Sequence, residues 1–195
     1  MNRNIRSLAA FAFFVLAFST YAALAQERQP VDHYSGLIND YSPSNVKGGP
    51  WEMHGQWTLD LQRWWGVADF TADMTMSDYG TTAGVLDATK GGQGAHTHHI
   101  KLTNAAVIWN MDGCPAFSPA TTTGFQISGT VSLITGNGGP APFEKMNPPE
   151  STLQVCVTGG SEVSYSNITL VFGGPATTHF GPQAVHGVVR SAPAD

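Results

Sequence analysis

The stretch Trp51-Glu52-Met53-His54-Gly55-Gln56-Trp57-Thr58-Leu59-Asp60-Leu61-Gln62 sets an apolar or small residue at every odd position and a polar one at every even position. Side chains alternate between the two faces of a strand, so this period of two predicts a strand with one buried face. Past the corner Trp64-Trp65-Gly66 the alternation resumes, with Ala68, Phe70, Ala72, Met74 and Met76 set against Asp69, Thr71, Asp73 and Thr75. Two such runs joined by a short glycine corner read as a hairpin or meander.

Working outward, further strands are predicted at 98–103, 106–110, 124–135, 153–158, 168–172 and 184–190, separated by turn chemistry such as Gly136-Asn137-Gly138-Gly139-Pro140 and Gly173-Gly174-Pro175. No segment sustains the three-and-four spacing of an amphipathic helix. Many short strands with glycine and proline turns predict an all-β domain, a single antiparallel β-barrel or a strongly curled sandwich. Closure into a barrel is preferred because it leaves no open edge.

The N-terminus has the three-part layout of a secretory signal peptide. Arg3 and Arg6 precede an uncharged apolar run from Leu8 to Phe18, and Ala23-Leu24-Ala25 supplies small residues ahead of Gln26. That run is too short to span a bilayer, and later hydrophobic runs are broken within a few residues, so no stable membrane insertion is expected. The expected organisation is a signal peptide over 1–25, a polar extended leader over 26–50 and one β domain over 51–195, in a secreted or periplasmic protein of bacterial type. Export places Cys114 and Cys156 where disulfides persist, and the two are expected to pair.

Nine Lys and Arg against fourteen Asp and Glu, with no basic cluster, argue against nucleic acid as a partner, since phosphate binding needs a concentrated cationic surface. Asn167-Ile168-Thr169 matches a glycosylation acceptor but falls inside a predicted strand, where chance is the better explanation.

The most unusual local feature is His96-Thr97-His98-His99. On an extended chain His96 and His98 project from one face and can converge on one ion, while His99 points to the other. Neutral imidazoles suit a transition metal such as zinc or copper. The remaining ligands would come from His54, His179 and His186, and a metal-activated water would look to Glu52 or Asp60 as its base. Two alternatives stand beside this reading. One is a metal-free barrel carrying a small apolar ligand in a pocket lined by Trp57, Leu59, Phe70 and Met74. The other is an enzyme with a histidine at the barrel rim. The expected partner is thus a metal ion or a small molecule. No serine-hydrolase elbow, zincin helix, phosphate loop or dinucleotide fingerprint is present in the right context.

Gly55-Gln56-Trp57 resembles the G-x-W at the start of lipocalin-like and avidin-like barrels, which implies a barrel end closed by Trp57 and covered by a late arginine, here Arg190. The strings Ala95-His96-Thr97-His98-His99-Ile100, Gly136 to Phe143, Gly173-Gly174-Pro175-Ala176 and His179-Phe180-Gly181 resemble a group of exported bacterial β-rich proteins. That resemblance implies a periplasmic or extracellular location and carries no catalytic or binding residue with it.

Overall fold

The structure, a computed structural model, describes residues 30–42, 46, 50–78, 96–115, 123–131, 133–136, 151–159 and 165–192; the expected signal peptide lies outside them. Within these residues the chain runs through β1 (Asp32–Tyr41), β2 (Trp51–Gln62), β3 (Val67–Asp78), β4 (His96–Ile108), β5 (Thr123–Thr130), β6 (Leu133–Gly136), β7 (Thr152–Gly159), β8 (Tyr165–Gly173), a single helical turn α1 (Thr177–Phe180) and β9 (Val185–Ser191). Every strand pairing is antiparallel.

The strand order β3-β2-β1-β9-β8-β7-β5-β4 is closed by pairing of β3 with β4. β6 lies on β4 in the register of β5, with Ala106 facing Ser128 and Lys101 facing Leu133. The two short strands therefore fill one position, and the architecture is an eight-position antiparallel barrel. Closure satisfies both edges of the sheet.

The alternation seen in the sequence is the alternation between lumen and solvent. Trp57, Leu59 and Leu61 of β2 and Phe70 of β3 face inward with Ile100 and Leu102 of β4, Phe125 and Ile127 of β5, and Leu153, Val155 and Val157 of β7, all buried. Leu59, Phe70 and Leu102 form one continuous row across three strands. Each such side chain contributes about 1.5–3 kcal/mol on burial, so the lumen is a packed core.

Besides the strand expected over 124–135, which is divided into β5 and β6, three elements differ from the sequence expectation. β1 lies within the stretch read as a polar leader, so the strands begin at Asp32 and not at Trp51. Its inward residues are Tyr34, Gly36 and Ile38, and Gly36 is required there, because a Cβ would lie 1.9 Å from the Val188 carbonyl oxygen and 2.8 Å from the Trp57 ring. β4 is one strand where two were expected. Asn104 adopts a left-handed φ of 52° and its N–H donates to Asp69 Oδ1 at 2.8 Å, so the register slips at a bulge and the strand continues.

The third difference is α1, in a segment read as a loop. Gly174 takes a φ of 65°, Pro175 sets the first turn, and Gly181 ends the helix at a φ of 96° with its N–H on Thr177 O. The hydroxyls of Thr177 and Thr178 donate to the carbonyls of Gly174 and Pro175, each at 2.8 Å. These local bonds hold the turn.

The expected bridge between Cys114 and Cys156 is formed. It ties the loop after β4 to the outer face of β7, where Gln126 donates its amide to Asn110 O, Asn110 Oδ1 and Asp112 O.

Candidate metal centre

The mouth of the barrel near the start of β4 holds three buried histidines. Pleating turns His96 and His98 into the lumen, each 2% exposed. Their neighbours Thr97 and His99 face out, and His99 Nδ1 meets Asp73 Oδ1 at 2.7 Å on the outer surface. α1 then lowers His179 onto the pair, 7% exposed. Its Nε2 lies 3.0 Å from His96 Nε2 and 2.9 Å from His98 Nε2. The three ligand atoms lie within 4.8 Å of one another and form a set able to hold a metal ion.

Protons alone satisfy this arrangement poorly. A neutral imidazole nitrogen is either a donor or a single-lone-pair acceptor, and His179 Nε2 faces two partners at once. A cation accepts all three lone pairs together. Nitrogens bound tetrahedrally at about 2.0–2.1 Å sit about 3.3 Å apart, so the two short spacings open by only a few tenths of an ångström to admit an ion.

The surroundings favour the neutral ligand form. The pKa of His179 is lowered from 6.5 to about 4, first by burial and then by repulsion from His96. At neutral pH it is uncharged, the form that ligates once its remaining N–H lies on Nδ1.

Aromatic rings fix the imidazoles. Trp51 meets His96 edge-on at 5.3 Å between centroids, and Phe180 meets His98 edge-on at 5.1 Å. Phe180 also stacks on Phe172 at 4.2 Å. The turn carrying His179 is thus anchored to the end of β8. A second anchor is Ser151, whose buried Oγ accepts the Ala176 N–H at 3.2 Å.

Of the five histidines expected as ligands, the structure gathers His96, His98 and His179. His54 is exposed on the outer face of β2, the face opposite its inward neighbours Met53 and Trp57. His186 is on the outer face of β9, where its Nδ1 and backbone N–H both meet Asp40 Oδ2, at 2.7 and 2.8 Å. Glu52 and Asp60 also face outward, Asp60 against His33, so neither is placed as a base for the cluster. Trp57, Leu59, Phe70 and Met74, read as a possible ligand pocket, are each at most 1% exposed and belong to the packed core.

Trp57 donates its indole N–H to Val188 O at 3.3 Å, at mid-barrel. It lines, with Arg190, His33, Thr58 and Asp73, an open outer groove of about 560 Å³. The element that sequence reasoning missed is α1. Its signal was the spacing of Gly174, Pro175 and Gly181, which punctuate a turn too short to show periodicity. No family model, no curated protein and no solved structure matches the chain.

Proposed function

We propose that this protein is an exported barrel that binds a transition-metal ion through Nε2 of His96, His98 and His179. The observation that carries the reading is the convergence of three buried imidazole nitrogens on one point, with two spacings of 2.9 and 3.0 Å. The lowered pKa of His179 supports it by keeping the third ligand deprotonated at neutral pH. Three neutral nitrogens suit zinc or copper and leave a fourth coordination position. The signal-like N-terminus and the Cys114–Cys156 bridge support a location outside the reducing cytoplasm. Among the described residues no helix is long and apolar enough to cross a membrane.

Calorimetric titration of chelator-treated protein with zinc and with copper tests the reading. Saturable binding of about one ion per chain is expected, with loss of at least about tenfold in affinity in His179→Ala, since one of three ligands is gone. Equal affinity in the variant and the parent would overturn the assignment of His179.

A further inference from the structure

Among the described residues, the three methionines of the core all lie in the two strand rows that carry the histidines. In the first row Met53 faces Met76 across β2 and β3, and Met76 faces His96 across β3 and β4. In the second, Met74 faces His98 in the same way. Met53, Met74 and Met76 are fully buried, on the same lumen side as the two imidazoles. The other apolar residues of the described core are Leu, Ile, Val, Ala and aromatic residues. Met74-Thr75-Met76 is therefore laid directly against His96-Thr97-His98, thioether opposite imidazole at both positions. Residues opposed in an antiparallel pair have Cβ atoms about 4.5–5.5 Å apart, a spacing that the flexible side chain of methionine can span towards an ion held by the imidazoles. Gly55, the β2 residue facing Met74, brings no side chain into that row.

The charge of the donor set points the same way. Among the described residues the cluster contains three histidines and no carboxylate or cysteine. Imidazole and thioether are both neutral, so these donors leave a bound ion its whole charge in a buried site; the carboxylate of the first row, Asp40 opposite Met53, is bonded to His186. The cost of burying charge rises with its square, making a doubly charged ion about four times as expensive as a singly charged one in the same cavity. Soft thioether donors favour copper(I) over zinc, and the two effects act in one direction.

We infer that the ion of this centre is copper in its cuprous form, held by His96, His98 and His179 with a thioether from Met74 or Met76 in the fourth position. The inference rests on the histidine centre proposed above and adds the identity of the ion and its sulfur ligand. No electron transfer is part of it.

The test is an anaerobic competition titration with the chromophoric cuprous chelator bicinchoninate, paired with a zinc titration against a fluorescent chelator. Both are run on the parent, on Met74→Leu/Met76→Leu and on His96→Ala/His98→Ala. Leucine preserves volume and apolar character, so the methionine variant retains its core. Cuprous affinity is expected to fall at least about tenfold in the methionine variant, with zinc affinity unchanged within about twofold, because only the soft ion uses the sulfur. The histidine variant is expected to lose both ions. X-ray absorption of the cuprous parent adds a readout independent of any variant, a sulfur scatterer beside the nitrogens. An all-nitrogen shell, or a cuprous affinity indifferent to the methionine changes, overturns the thioether assignment while leaving the histidine centre intact. Failure of the parent to bind either ion overturns both.

Discussion

Replacement of His179 by glutamine should flatten the pH dependence of folding stability in the metal-free protein. In the folded state His179 protonates near pH 4 instead of 6.5. As pH falls, the unfolded chain takes up its proton first, so protonation favours unfolding. The contribution of His179 is fully present above pH 6.5, is lost as pH falls from 6.5 towards 4, and is constant below. One pKa unit corresponds to about 1.4 kcal/mol, so between pH 7.5 and pH 4.5 the parent should lose roughly 2–3 kcal/mol through this residue alone. Glutamine does not titrate, and His179→Gln should lose that much less over the same interval. Urea denaturation of chelator-treated parent and variant at the two pH values measures the difference, and the carboxylates common to both proteins cancel. An equal loss in parent and variant would refute the claim that burial and His96 hold His179 neutral.

Other consequences can be measured separately. Cys114→Ser/Cys156→Ser opens a cross-link with a sequence separation of 42 and should lower unfolding free energy by about 3–4 kcal/mol, with the reduced parent matching the variant in thermal melts. Phe180→Ala removes the stack on Phe172 and the edge contact with His98; it should cost about 3–5 kcal/mol and weaken metal binding by loosening α1, as seen by titration. Gly36→Ala forces a Cβ onto the Val188 carbonyl and the Trp57 ring and should destabilise by at least about 1–3 kcal/mol, with a shift in Trp57 fluorescence.

Strict alternation made β2 and β3 legible in the sequence, because every inward position there except Gly55 carries a side chain that fills the lumen. β1 was hidden. Gly36 presents nothing to the core, and the outward Leu37 is 40% exposed, so the hydrophobic contrast between the two faces is weak. The same pleat that announced β2 also separates His54 from the cluster. The polar face of that strand is the outside of the barrel, and a ligand on it cannot reach the lumen.

The pair His96 and His98 was readable from H-x-H spacing on an extended chain. The choice of His179 over His186 was not, although both follow β8. His179 rides on a turn bent inward by Gly174 and packed by Phe180 on Phe172. His186 is one strand step from the lumen-facing Val185, and its Nδ1 is taken by Asp40. Facing direction at the end of a closed barrel depends on how neighbouring strands meet, and local sequence does not encode that contact. The placement of Met74 and Met76 against His98 and His96 likewise appears only once β3 and β4 are in register.

The central claim is tested most directly by elemental analysis of tag-free protein, purified without added metal and then incubated with zinc or copper and desalted, beside His96→Ala/His98→Ala treated identically. The expected result is about one ion retained per chain in the parent and almost none in a folded variant. A parent that retains no ion, or a variant that retains as much as the parent, would contradict the histidine centre.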